Sequence, residues 1–482
     1  MFSAGKNVQD IVAPFMMKDP GMFRSMLGCL LVWVALAGCG GSAVSGSAAV
    51  SVDGGVTLSL AQSSAARNPA SSIAASSLAA AAAANNAFAV GLYSQWLSMA
   101  PPGNVLTSPL SASLALTMTY AGAEGQTATE MANALQFGDA GAAIFDGQNA
   151  LSQALVERGA SAFATAEHNA AVTPEGVAPS PSDYELQIVN SVWGQVTYAW
   201  EASFLDILAK SYGSGVYLED FVHEPDQARQ TINTWVSSET ADKINNLLPM
   251  GSIDSSTRLV LVNAIHLKLP WQNTFDASET APGTFTRADG STVSASFMND
   301  AQTWPYVDDG RAQIVALPLS GGQVSVVVAL PHADLATYEA GLTTGSAALT
   351  VPTTGAYVEL SLPKVTFTSP TFSLKAALQA MGMVQAFDPA AANFSGMCAH
   401  PPDGSHLYVA DVLQKATIAM QETGVEAAAA TAVLVDTAAI SLPPDPTTMV
   451  VNRPYLIALV DQPTGAILFL GHVDDPTATG SP

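Results

Sequence analysis

The chain has 482 residues, 49% hydrophobic and only 12% charged, so it can bury a large core as one big domain or as two or three small ones. Its 40 acidic residues against 16 basic ones give a formal net charge of -24, which argues against binding nucleic acid or anionic lipid through bulk electrostatics. No Gly-x-Ser-x-Gly elbow on a strand, His-Glu-x-x-His site or phosphate-binding loop occurs, and the seven histidines have no metal-like spacing. The sequence therefore points away from an enzyme and calls for no cofactor.

Residues 1–39 read as a targeting segment. Arg24 precedes about a dozen apolar residues and then small ones, the pattern of a secretory signal. The run is too short to span a bilayer comfortably. Met1 to Gly21 is awkward ahead of such a signal, so translation starts at Met1 or at Met16, Met17 or Met22. Leu36-Ala37-Gly38-Cys39 resembles the bacterial lipoprotein box. That resemblance implies acylation of Cys39, an envelope location (outer membrane or extracellular face), and membrane contact through the anchor alone. The alternative is an ordinary cleavable signal. Cys29 falls within the signal, which leaves Cys398 as a lone free thiol on a loop. Residues 40–81, rich in Ala, Ser and Gly, read as a flexible tether.

Further on, residues 85–93 open an amphipathic helix that begins within 78–84. Asn104-Val105-Leu106-Thr107-Ser108-Pro109-Leu110-Ser111 precedes a second helical run. Residues 159–183, with Thr173-Pro174-Glu175-Gly176 and Pro179-Ser180-Pro181, read as a surface insertion. Asn190-Ser191-Val192-Trp193-Gly194 reads as a strand, 232–236 as a helix and 243–249 as a linker. Residues 261–268, including Asn263, read as a strand with Trp271 as its aromatic anchor. Residues 407–420, including Gln414, lead into the run that starts at Glu422. Residues 451–459 and 464–473 form a buried pair joined by a tight Thr-Gly turn.

Between 407–420 and that pair stands Glu422-Thr423-Gly424-Val425-Glu426-Ala427-Ala428-Ala429-Ala430-Thr431. From Val425 to Asp436 both charges, Glu426 and Asp436, fall on one strand face, and the other face has none. Such a segment can become a central strand with one side buried. Taken alone, four alanines fit a surface helix equally well.

This run resembles the hinge of the serpin reactive loop, and the other blocks follow in the order of that family over residues 82–476. The resemblance implies an α+β serpin fold over 82–478. It would have a large, mostly antiparallel central sheet, a further sheet or barrel region, eight or nine helices and an exposed loop at 422–449. It implies an inhibitor of serine proteases, not an enzyme, and a monomer. A protease cuts the loop and forms an acyl-enzyme. The loop then inserts as a new strand and distorts the protease before hydrolysis. Hinge length puts the bait bond at Ala438-Ala439, with Ala439-Ile440 and Ile440-Ser441 open. Seventeen residues from Glu422 to Ala438 reach about 55 Å at about 3.3 Å each. Alanine at the bait position implies elastase-like or subtilisin-like targets. Ser108, Ser111 and Asn263 match polar residues where the sheet opens, and Trp271 matches the aromatic at the first insertion point. Lys364 and Glu422 match a salt bridge there. Gln414 replaces a common histidine, and Val425 a common threonine. No basic cluster lies around Leu151 to Arg158, so no polyanion cofactor is expected. The alternative is a non-inhibitory serpin that acts as a binding module.

Overall fold

The computed structural model describes residues 46–51, 57–99, 102–172, 178–404, 406–425 and 446–480. Glu426 to Thr431, Ala438, Ala439 and Cys39 lie outside the described residues.

A central sheet of eight strands runs β1 (Gly46–Ser51), β2 (Thr57–Gln62), β5 (Val216–Glu219), β4 (Glu185–Gln195), β6 (Leu259–Pro270), β16 (Gly424–Val425), β15 (Thr417–Gln421), β12 (Val365–Thr368). All neighbours are antiparallel except β4 and β5. A nine-stranded sheet runs β17 (Thr447–Val450), β11 (Gly355–Pro363), β8 (Thr292–Asp308), β9 (Ala312–Pro318), β10 (Val324–Pro331), β18 (Tyr455–Asp461), β19 (Ile467–Val473), β3 (Val105–Thr107), with β7 (Ala281–Thr286) on β8. Its path ends at β17 and β3 and does not close into a barrel. A short ladder joins β13 (Phe372–Ser373) and β14 (Leu413–Gln414).

Eight α-helices occur among the described residues: α1 (Ala75–Leu97), α2 (Pro109–Tyr120), α3 (Gly125–Ala134), α4 (Ala143–Val172), α5 (Ala202–Tyr212), α6 (Pro225–Glu239), α7 (Leu335–Glu339) and α8 (Lys375–Ala380). α2 starts with Ser108 as N-cap and Pro109 at its first turn, and Pro109 to Thr119 are all buried. A helix buried on every side belongs inside a core. β10, Val-Ser-Val-Val-Val-Ala-Leu-Pro, is buried along its whole length, as a strand covered on both faces must be.

α6 lies over one face of the central sheet. Trp193 of β4 stacks on Tyr217 of β5 and meets Trp235 of α6 edge-on, with centroids 4.7 and 5.6 Å away. Ile244, Leu247, Leu248 and Ile253 of the linker after α6 join that cluster beside Val262 of β6. The linker crosses to the far half of the sheet, where Lys415 Nζ donates to the Asn245 carbonyl at 3.2 Å.

Two readings change. Part of the tether at 40–81 is built into the body: β2 pairs with β5, Leu58 and Leu60 are buried, and α1 begins at Ala75. The alternation Thr57-Leu58-Ser59-Leu60 outweighs the Ala/Ser/Gly composition. The first half of the 159–183 stretch continues α4 to Val172, where alanines favour helix. Cys398 is free, as read, but buried.

Candidate functional site

β6 and β15 are both antiparallel to β16 and hence parallel to each other. Among the described residues they are linked at two places. At one, Val412, five residues before β15, makes an isolated parallel bridge to Leu261 of β6; at the other, the two-residue strand β16 pairs with both. Between these points no ladder joins them. The sheet is poised to admit an antiparallel strand there.

Gly424 and Val425 start that strand. Gly424 pairs with Pro270 and Gln421, Val425 with Leu269 and Met420. Gly424 adopts φ 152, and a Cβ there would lie 2.5 Å from the Leu269 carbonyl oxygen and the Pro270 Cα. Only glycine fits. Val425 is 2% exposed and packs in the core with Leu267, Leu269, Ile418 and Met420.

Trp271 supports the turn before the hinge. Its indole Nε1–H donates to the Gln421 carbonyl at 2.7 Å, and its backbone N–H to the Thr423 carbonyl at 3.0 Å. Lys364 Nζ stands 2.8 Å from Glu422 Oε2, and the Thr280 hydroxyl donates to Oε1 at 2.9 Å. Burial alone would raise the Glu422 pKa. The Lys364 and Thr280 contacts prevail, and the carboxyl is held below its ordinary range. The Phe275 N–H donates to the Glu422 carbonyl. Thr280 and Phe275 carried no pattern in the sequence that marked them.

Below this point Ser108, Asn263 and Gln414 form a buried polar knot, with Ser111 beside it. Gln414 Nε2–H donates to the Ser108 carbonyl at 2.8 Å and to Asn263 Oδ1 at 3.3 Å, and its Oε1 accepts from the Ser108 N–H at 3.0 Å. Ser111 Oγ–H donates to Asn190 Oδ1 at 3.4 Å. Asn263 is fully buried, and its Nδ2 has no hydrogen-bond partner. An unpaired buried donor costs about 1–3 kcal/mol. The structure thus divides the predicted sheet-opening residues into two groups: Trp271 and Lys364 beside Glu422 at the hinge, and Ser108, Ser111, Asn263 and Gln414 deeper in the sheet.

No group of three or more His, Cys, Asp or Glu side chains that could hold a metal occurs among the described residues. The arrangement positions the backbone of the hinge.

The two sheets and eight helices make an α+β fold, and comparison with known proteins gives its family. The chain belongs to the serpin (serine protease inhibitor) family, whose profile matches residues 83–476. It is 33% identical to an uncharacterized serpin-like protein of Methanosarcina acetivorans, over 81% of this chain and 85% of that one. It is 30% identical to human leukocyte elastase inhibitor, over 81% of this chain and 98% of that one. Among solved structures it is similar to the native thermophilic serpin tengpin, with TM-score 0.68, 26% identity and coverage of 81% and 93%. It is also similar to human thyroxine-binding globulin, with TM-score 0.68, 26% identity and coverage of 83% and 100%.

Proposed function

We propose that this chain is an inhibitory serpin that traps serine proteases by inserting its cut loop between β6 and β15. The observation that carries the reading is β16: Gly424 and Val425 already pair with both strands at the top of the gap. Extending that register would bring Ala427 between Leu267 and Ile418, and Thr431 between Asn263 and Gln414. The residues destined for the buried face are then small or apolar, apart from Thr431, whose hydroxyl would meet the unpaired Asn263 amide. Relatives named as leukocyte elastase inhibitors support a protease target. The bait bond near Ala438-Ala439 suits elastase-like or subtilisin-like enzymes, and the signal with Cys39 would hold the inhibitor at the cell envelope.

The test is incubation with elastase-type and subtilisin-type proteases, read on a denaturing gel. A covalent complex that survives SDS is expected, with cleavage mapped to 438–441. Cleavage without complex would mean a non-inhibitory member, the carrier or binding reading.

A further inference from the structure

The family match begins at residue 83, yet a well-built segment precedes it. Residues 57–73 run between β1 and β5 in the central sheet and then across two helices. Ser59, Leu60 and Ala61 pair with Leu218, Tyr217 and Val216 of β5. The approach of β2 to the chain before β5 is close: a Cβ on Gly215 would lie 2.3 Å from the Ala61 carbonyl oxygen. Leu58 and Leu60 are 2% and 3% exposed, in the cluster that holds Trp193, Tyr217 and the α6 residues Ile232, Trp235 and Val236.

Past β2 the segment is fastened to α5 and α4. The Ser63 hydroxyl donates to Asp206, and the Asn68 N–H to the Lys210 carbonyl at 2.8 Å. Arg67 Nε–H donates to Asn149 Oδ1 at 2.8 Å and Nη2–H to Ser152 Oγ at 2.7 Å. Asn149 Nδ2 and Gln153 Nε2 both donate to the Asn68 carbonyl at 2.9 Å.

These contacts bear on how the sheet can move. Admitting a strand between β6 and β15 requires β6, β4 and β5 to part from β15 and β12. That half-sheet rides on α5 through Val192, Val216, Phe204, Leu205 and Leu208. The segment ties β5 of the moving half to α4 and α5, and its leucines tie it to α6 on the opposite face. Sliding β5 over these helices must stretch or break the Arg67 and Asn68 contacts. A contact present in the native state and lost at the barrier slows the crossing.

We propose that residues 57–73 are a strap that slows opening of the sheet and so holds the intact loop outside it. This rests on the insertion reading above.

The test uses the full chain, the double variant Leu58→Ser/Leu60→Ser and the milder Arg67→Gln, incubated without protease at physiological temperature. Two signals are followed: loss of inhibitory capacity, and growth of an uncleaved species with higher heat resistance. The double variant should convert about tenfold faster than the parent, with Arg67→Gln between them. A strap that merely adds stability would give earlier melting and aggregation, with no heat-resistant uncleaved form. Arg67→Gln keeps both leucines and stays informative if the double variant does not fold. Conversion at the parental rate, or aggregation alone, overturns the strap. If the parent itself forms no SDS-stable complex and gains no heat resistance on cleavage, the insertion reading fails and the strap with it.

Discussion

Val425 stands opposite Leu269, so the first residue past the hinge glycine is already a member of the central sheet. On its other side it pairs with Met420, and its side chain is 2% exposed. The hinge is therefore seated before any cleavage. Val425→Arg would bury a charge among Leu267, Leu269 and Met420, which the sheet cannot accept. The two-residue strand should leave the sheet at a cost of about 2 kcal/mol, with the fold otherwise kept. In protease titrations the variant should be cut as a substrate and form no SDS-stable complex; persistent inhibition would refute the insertion register.

Lys364 and Glu422 fasten the hinge from outside. Because the Glu422 pKa is lowered in the fold, its contribution to stability is present above the ordinary carboxylate value and is lost as pH falls through the folded value. Lys364→Ala should cost about 1 kcal/mol near neutrality and speed spontaneous loss of inhibitory capacity. Thermal melts of parent and variant should converge in acid. A gap of constant size at every pH would show that the pair does not carry the effect.

A second ionic knot lies far from the hinge. His472 Nδ1 is 2.8 Å from Glu339 Oε1, its Nε2 is 2.9 Å from the Gly103 carbonyl, and the Tyr93 hydroxyl donates to Glu339. Burial opposes the charge on His472, but Glu339, Gly103 and Asp474 outweigh it, and the imidazole pKa is raised. Burial and Glu339 keep the Tyr93 phenol neutral. A raised histidine pKa stabilises the fold below its unfolded value, and that stability fades as pH rises through the folded value. Chemical denaturation across neutral to alkaline pH should show the loss, and His472→Gln should flatten the curve. An unchanged slope in the variant would assign the pH dependence elsewhere.

Ala241 ends the α6 region with φ 48, and Asp242 follows at φ 61. A residue with a Cβ pays roughly 1–2 kcal/mol in the left-handed region, and glycine does not. Ala241→Gly should raise stability by about 0.5–1 kcal/mol after glycine's greater freedom in the unfolded chain is subtracted. Denaturant midpoints decide it; a loss of stability would mean that the Ala241 methyl packs more than it strains.

Much of this was legible from residue patterns. Gly424 followed by small residues marks a hinge, and the glycine is required by both φ and contact. Residues 451–459 and 464–473 read as a buried strand pair and pair as β18 and β19, and Trp271 stands where an anchor is needed. What was not legible depends on distance in the chain or on weak signals. Tyr93, Glu339 and His472 meet across up to 379 residues, and no local pattern announces them. The strap was hidden by its composition, because two leucines in an Ala/Ser/Gly stretch carry little weight until β5 is there to pair with them. The unpaired Asn263 amide emerges only when the fold sets β6 beside Gln414 of β14.

The central claim is that the native fold is held short of its most stable form, with room for one more strand between β6 and β15. The most direct test is a thermal melt before and after a single cut within 426–445. A large rise in melting temperature on cutting, with the fragments still associated, is the predicted result. An unchanged or lower melting temperature would contradict it.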